Sequence, residues 1–380
     1  MQPRILFGEG ALDHLPELLR RSQGDRVLLL ASAGTMQVGR LRKSPQELLS
    51  RFDVRIFSDF KPVPKLGDLR AALKMAAERP PDAIVGLGGG TAMDLAKLTA
   101  LLACQPDPDP EPFLRGQRSI ASPRTCLLIL VPTTSGTGSE VTQFAVLYIG
   151  KQKYSLDHPY ILADYALVDP SLTWSMPPQL TASTGMDVIS QAIESYWSVR
   201  STETSRDRAV DAIRLAAANL VAACRNPTRL VRERMSLAAL WAGEAINITR
   251  TTAAHAASYP LTAYFGIPHG HACALTLPHF LGYNANVTDN DALDPRGVAF
   301  VRARIQEIAQ TLGRATPEAG RTWLTELTSS IGLAPRLGAL GVPPEAVDLI
   351  VEQGVNPERA ANNPRRVAKQ ALRDLLLEIL

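Results

Sequence analysis

Up to about residue 175, short apolar runs of β type alternate with helical patterns. Segments 26–31 (RVLLLA), 53–57 (DVRIF), 83–87 (AIVGL) and 126–131 (CLLILV) read as buried strands. Segments 66–78 and 91–102 read as helices between them. Near-continuous apolar strands alternating with helices predict a mostly parallel sheet covered on both faces. Segments 141–148 and 153–156, joined through Gly150, predict a β-hairpin, and 165–169 one more strand. From about residue 179 helical periodicity takes over. Helices are predicted at 180–198, 204–224, 228–246, 252–264, 295–312, 317–330, 343–353 and 366–379, several opening on Ser, Thr or Pro. The polar stretch 282–294 is expected to be a surface loop. Pro177-Pro178 marks the change of texture, giving an α/β domain over 1–178 and an all-α domain over 179–380.

Composition sharpens this picture in three ways. With 46% hydrophobic and 20% charged residues the chain is globular in character. A net charge of +3 over 380 residues gives no case for nucleic acid, yet does not repel an anionic ligand. The four cysteines form no CxxC pair, which argues for a reducing compartment rather than a disulfide framework. No basic region followed by an apolar run opens the sequence, and no apolar stretch approaches the roughly 20 residues needed to span a bilayer. A cytoplasmic protein is the expectation.

Two glycine turns follow predicted strands. In the first, Gly88-Gly89-Gly90-Thr91 leads through Asp94 into a helix. Glycines there let a backbone approach a pyrophosphate, and the helix start offers N–H groups and a positive dipole end. In the second, Pro132-Thr133-Thr134-Ser135-Gly136-Thr137-Gly138-Ser139 mixes hydroxyls with glycines, suited to a ribose or a carboxamide. Either alone is equally well a tight turn or a hydroxyl-rich cap. Two of them at strand ends of one α/β unit point to a dinucleotide. Gly88, Gly89, Gly90, Thr91, Asp94, Thr133, Thr134, Thr137, Ser139 and Lys153 are the expected cofactor contacts. Ser32 follows the strand at 26–31 where a carboxylate would repel a 2′-phosphate, so NADPH is preferred over NADH, with Arg40 and Lys43 as phosphate partners.

The segment 251–278 holds His255, His269 and His271 in a chain with six histidines. Upstream, Asp187 and Gln191 share a helix face at four-residue spacing, and His255 and Tyr259 repeat that spacing. His269, between Pro268 and Gly270, suggests a tight entry into another helix. Asp187, His255 and His269 form a carboxylate-plus-two-imidazole set suited to a divalent first-row metal, with the Gln191 amide oxygen as a fourth donor. A single buried histidine more often satisfies a core hydrogen bond. His271 and His279 are therefore read as core, and Glu194, one turn past Gln191, as structural.

In this order, Ile5-Leu-Phe-Gly-Glu-Gly10, GGGTAMDLAK (88–97), PTTSGTGSE (132–140), DVISQAIESYWS (187–198) and IPHGHACALTLPH (267–279) resemble the iron-dependent (group III) alcohol dehydrogenase family over almost the whole chain. The resemblance implies a Rossmann-like N-terminal domain, a helical C-terminal domain and a cleft between them, the architecture shared with dehydroquinate synthase. It implies NADPH or NADH, a divalent metal (Fe2+ first, then Zn2+, Mn2+ or Ni2+), and a homodimer. Asp187, His255 and His269 match three of the family's ligands. Gln191 stands in place of its second ligand, a His; Tyr259 stands in place of a further His near the catalytic centre; Ser32 stands in place of the usual Asp. These departures, with SQAIESYWS and Asn362-Asn363-Pro364-Arg365, are similar to the phosphonoacetaldehyde reductase branch. That branch implies reduction of an anionic aldehyde to 2-hydroxyethylphosphonate, with Lys153, Asn363, Arg365 and Arg366 as candidate substrate contacts. Three rivals stay open: a reductase for another small substrate, a dehydroquinate synthase-like lyase, and a nucleotide-binding protein whose site has decayed.

Overall fold

A computed structural model gives the structure of residues 2–22, 24–36, 44–107, 109–354 and 357–380. It divides into an α/β unit, Met1–Thr134 with Gly138–Ser175, and a helical unit, Met176–Leu380 with Ser135–Thr137. In the first unit, strands β1 (Arg4–Phe7), β2 (Arg26–Ala31), β3 (Asp53–Phe57), β4 (Ala83–Gly88), β5 (Leu127–Pro132) and β8 (Tyr165–Val168) make a parallel sheet in the order β1-β8-β5-β4-β2-β3. Strands β6 (Phe144–Ile149) and β7 (Gln152–Asp157) form a separate antiparallel hairpin. Helices α1 (Leu15–Leu19), α2 (Ala33–Met36), α3 (Pro45–Leu49), α4 (Leu66–Glu78), α5 (Gly90–Leu102) and α6 (Glu111–Leu114) connect them.

The apolar runs become central strands because both faces are covered. Along β2, β4 and β5, Leu28, Leu30, Ile84, Leu128 and Leu130 enter one apolar cluster. Their alternates Val27, Leu29, Val85, Ile129 and Val131 enter the other. Each such side chain, taken from water, contributes about 1.5–3 kcal/mol. β1 escapes the sequence pattern because it has only four residues and sits at the sheet edge, paired with β8 alone. The chain leaves β2 for β3 on one side and returns to β4 on the other. The carboxyl ends of β2 and β4 therefore flank the switch point where open α/β sheets bind ligands.

The helical unit comprises α7 (Pro178–Trp197), α8 (Glu203–Arg225), α9 (Arg229–Thr249), α10 (Ala253–Phe265), α11 (His269–Ala285), α12 (Val298–Thr311), α13 (Pro317–Ser330), α14 (Val347–Gly354), α15 (Pro357–Ala361) and α16 (Lys369–Glu378). One apolar cluster runs through it, with Met186, Ile189 and Ile193 of α7 against Ile213 and Leu220 of α8 and Leu275 and Leu277 of α11. The expected loop at 282–294 is overtaken by α11, which runs on to Ala285 through Pro278. The segment Ser135–Thr137 belongs with the helical unit, because Ser135 Oγ bonds Ser236 Oγ at 3.0 Å on α9 and Gly136 packs on Thr184 of α7. Among the described residues, no helix is long and apolar enough to cross a membrane.

Helix α5 lies so close to β4 that a Cβ on Gly86 would meet Ala96 Cβ and Leu130 Cδ2 at 2.8 Å each. Gly86→Ala should therefore lower stability by about 1–3 kcal/mol, read from the urea midpoint. An unchanged midpoint would contradict this packing.

Candidate functional site

Three helices of the helical unit carry the candidate site at helical spacing. On α7, Asp187, Gln191 and Glu194 recur at i, i+4 and i+7, so one face presents all three. On α10, His255, Ser258 and Tyr259 share a face, as do His269 and Cys273 one turn apart on α11. Helices α7 and α11 approach backbone to side chain. A Cβ on Gly270 would lie 1.9 Å from Ser183 O and 2.9 Å from Asp187 Cβ, so only glycine lets His269 reach Asp187.

The ligating atoms of Asp187, His255, His269 and Cys273 all lie within 4.8 Å of one another. His255 Nε2 stands 3.4 Å from Asp187 Oδ1, and His269 Nε2 stands 4.0 Å from the same oxygen. Cys273 Sγ is 4.0 Å from His269 Nε2. Asp187, His255 and Cys273 are buried, while the His269 side chain is 29% exposed and leaves the cluster open on that side.

Both imidazoles present Nε2 to the cluster, and the surrounding hydrogen bonds say why. Nδ1 of His255 faces the carboxylate Oε2 of Glu194, which only accepts, so the proton sits on Nδ1. Ser258 donates its hydroxyl proton to His255 O at 2.7 Å. Toward His269 Nδ1 at 3.3 Å the Ser258 oxygen therefore accepts, and His269 Nε2 is also left as the basic nitrogen. Carboxylate and hydroxyl partners of this kind orient metal-ligating histidines.

Glu194 has a second task. Its Oε1 accepts from Thr252 N (3.0 Å), Thr252 Oγ1 (2.6 Å), Ala254 N (3.0 Å) and His255 N (3.3 Å). Three of these are amides at the start of α10, which otherwise lack intrahelical partners. The helix dipole stabilises the buried carboxylate there. Just upstream, Arg250 adopts φ 62° and ψ 175°, a strained backbone that ends α9 and turns the chain into α10.

The cluster's charge calls for a cation. Burial pulls the His255 pKa down, but Cys273, Glu194 and Asp187 outweigh it and hold His255 well above its ordinary value. Burial pushes the Cys273 thiol up, against the pull of His255. His255 Nε2 and Gln191 Oε1 are buried without a hydrogen-bond partner among the described residues. Two basic imidazole nitrogens, a carboxylate and a thiol converging on one point, with an orphaned imidazole nitrogen among them, fit a divalent metal ion. Gln191 donates Nε2 to Asp187 Oδ2 at 3.0 Å. Tyr259 lies with its ring centroid 6.1 Å from that of His269 at an interplanar angle of 28°.

Cys273 and the orienting role of Glu194 were missed in sequence. The available signals were Cys273 four residues after His269, and Glu194 seven residues after Asp187 on the same face.

In the α/β unit, Gly88 ends β4, Gly89 precedes α5 without a side-chain cap, and Gly90 and Thr91 open the helix. The first-turn amides and the dipole are thus offered to an anion. Thr133 N bonds Gly88 O at 2.9 Å, and Thr134 Oγ1 lies 3.4 Å from a Cβ position on Gly89, so the two turns adjoin. Ser32 Oγ pairs with Thr35 Oγ1 at 2.8 Å, and Thr35 Oγ1 lies 3.6 Å from a Cβ position on Gly88. Ser32 is thereby at the switch point. Arg40 and Lys43 lie outside the described residues.

Asp94 and Ser139 are buried in a hydrogen-bonded network with Lys97. Ser139 Oγ donates to Asp94 Oδ1 at 2.6 Å, and Asp94 Oδ2 accepts from Val146 N at 3.1 Å. Lys97 Nζ, fully buried, donates to Ser139 Oγ (2.8 Å), Thr142 Oγ1 (2.9 Å) and Phe144 O (2.9 Å). Burial pushes the Asp94 carboxyl up, opposed by Lys97, Ser139, Val146 N and the charge of Lys153. Lys153 itself sits on β7 opposite Tyr148. Thr137 belongs with the helical unit.

Asn363, Arg365 and Arg366 lie together in the structure. Asn363 is fully buried and exchanges amide bonds with Asn284. Arg365 pairs with Asp291 at 2.8 Å, donates to Tyr283 O at 2.7 Å, and stacks on the Tyr283 ring at 4.0 Å. Tyr283 OH donates to Arg366 O at 2.5 Å. All three cluster at the far end of α11, about 20 Å along its axis from His269 at 1.5 Å per residue. Asn363 and Arg365 brace that helix end through their side chains, and Arg366 through its backbone.

Residues 2–170 match the family model for iron-containing alcohol dehydrogenase, and residues 181–380 match that for the C-terminal part of the Fe-containing alcohol dehydrogenase family. Long-chain-alcohol dehydrogenase 1 of Geobacillus thermodenitrificans (strain NG80-2) is 33% identical over 366 residues, covering 94% of this chain and 91% of its own. Phosphonoacetaldehyde reductase of Streptomyces viridochromogenes is 35% identical over 304 residues, covering 78% of this chain and 76% of its own. The crystal structure of sulfoacetaldehyde reductase from Bifidobacterium kashiwanohense in complex with NAD+ matches with a TM-score of 0.88 and 30% identity, covering 100% of this chain and 97% of that one. The chain belongs to the iron-containing alcohol dehydrogenase family and is an NAD(P)-linked alcohol/aldehyde oxidoreductase.

Proposed function

We propose that this enzyme reduces a small aldehyde carrying a tetrahedral anionic group, phosphonoacetaldehyde foremost, to the primary alcohol, with NADPH as reductant. The observation that carries the reading is the convergence of the donor atoms of Asp187, His255, His269 and Cys273 within 4.8 Å. Bound, a divalent cation supplies Lewis acidity toward a carbonyl oxygen and a nicotinamide supplies the hydride. The protein's own groups do the rest. Glu194 and Ser258 keep the Nδ1 protons in place so that both Nε2 atoms act as donors. Gln191 fixes the rotamer of Asp187. Tyr259, its ring 6.1 Å from that of His269, is the proposed proton donor to the product hydroxyl. The turn at Gly88, Gly89 and Gly90 takes the pyrophosphate, and Ser32 leaves room for a 2′-phosphate.

The substrate class rests on the 35% identical phosphonoacetaldehyde reductase. A sulfonate is the second reading, favoured by the sulfoacetaldehyde reductase neighbour. The deciding experiment follows NADPH absorbance with phosphonoacetaldehyde, sulfoacetaldehyde and a neutral aldehyde, before and after chelation. Higher kcat/KM for phosphonoacetaldehyde, lost on chelation and restored by metal, is expected. Equal rates for the neutral aldehyde would overturn the anionic substrate, and no net NADPH consumption would favour lyase chemistry.

Three variants test the parts. His269→Ala should lose bound metal and turnover together; full activity would remove the metal group from the reaction. Glu194→Gln should weaken metal binding by about 10–100-fold while leaving the four donors in place, as expected for an orienting partner; isothermal titration checks this, and unchanged affinity would refute the role. Ser32→Asp should shift the ratio of kcat/KM values from NADPH toward NADH, and a ratio that stays put would refute the cofactor argument.

A further inference from the structure

The fourth donor to the metal is open between two side chains. Gln191 occupies the sequence position that resembles a family ligand; its amide nitrogen is committed to Asp187 Oδ2 at 3.0 Å, while its Oε1 is buried without a hydrogen-bond partner among the described residues. An amide spent on a ligand's carboxylate is arranged as an orienting group, of the kind that fixes a ligand from outside. Cys273 has no such commitment to Asp187. It is fully buried on α11, one turn from His269, with Sγ 4.0 Å from His269 Nε2. It lies in the same 4.8 Å group as the orphaned Nε2 of His255. With bonds of about 2.0 Å to N or O and 2.3 Å to S, tetrahedral donors stand about 3.3–3.7 Å apart. The observed separations, 3.4 and 4.0 Å for three pairs and no more than 4.8 Å across the group, close on an ion with shifts of about 1 Å.

We propose that Cys273 is a metal ligand: its sulfur binds the cation as a thiolate together with Asp187, His255 and His269, while Gln191 stays outside and holds Asp187. The S–H proton leaves to solvent as the metal–sulfur bond forms. A thiolate is a softer donor than an amide oxygen, so the site gains affinity for ions that accept sulfur, Zn2+ and Co2+ among them. The inference rests on the metal reading above and adds one ligand to it.

Loading the full-length protein with one equivalent of Co2+ tests both claims separately. The wild type should show visible d–d bands and a near-ultraviolet thiolate-to-cobalt charge-transfer band. Cys273→Ser should keep the d–d bands and lose the charge-transfer band, whereas Gln191→Ala should keep both. X-ray absorption of the wild-type Zn2+ protein, which needs no variant to fold, should show one sulfur at about 2.3 Å. Stoichiometric Co2+ binding without the charge-transfer band, or a first shell of nitrogen and oxygen only, would overturn Cys273 as ligand and leave the metal reading standing. Failure to bind Co2+ or Zn2+ at all would overturn both.

Discussion

The carboxylate of Glu194 lies fully buried where α7 faces the start of α10, and both of its oxygens are used. One oxygen takes the amides of Thr252, Ala254 and His255; the other takes Nδ1 of His255. Burying an anion is costly unless it is met by donors and compensating charge. Here the helix start supplies both, so the position of α10, the tautomer of His255 and the direction of its Nε2 are set together. Everything proposed about metal binding follows from that nitrogen pointing at Asp187.

The rest of the centre repeats one device, pairs of side chains a helical turn apart. Asp187 with Gln191, His255 with Tyr259, and His269 with Cys273 each lie on one helix face. Close approach of α11 to α7 at Gly270 brings the pairs into register. The α/β unit follows a different constraint. Its ligand turns sit at the carboxyl ends of β2 and β4 because the order of the strands reverses there, while the buried Asp94, Ser139 and Lys97 tie α5 to the segment that leads into the hairpin.

Much of this was legible in the amino-acid order where a physical cause was local. The runs at β2, β4 and β5 stand out because both faces of a central parallel strand are apolar, and Asp187, His255 and His269 stand out because clustered imidazoles are uncommon. β1 was invisible at four residues, and α11 was obscured by Pro278 and by burial on all sides, which removes a polar face. Asp94 and Ser139 were read as ligand contacts, because a hydroxyl and a carboxylate beside a glycine turn look alike whether they meet a ligand or each other, and they bond each other here. Cys273 was counted only as one of four cysteines without a CxxC partner, and Glu194 gained its meaning only from His255, 61 positions away. Arg365 looked available to an anion until Asp291 and Tyr283 were found beside it.

The central claim is that one cation is held between Asp187 and the two Nε2 atoms. Anomalous scattering from crystals of the metal-loaded protein, collected at the metal's absorption edge, tests it most directly. The account predicts a single strong peak about 2.0–2.2 Å from the Asp187 carboxylate and from Nε2 of both His255 and His269. A peak bound elsewhere in the protein, or imidazoles with Nε2 turned from Asp187 and satisfied by other groups, would contradict it.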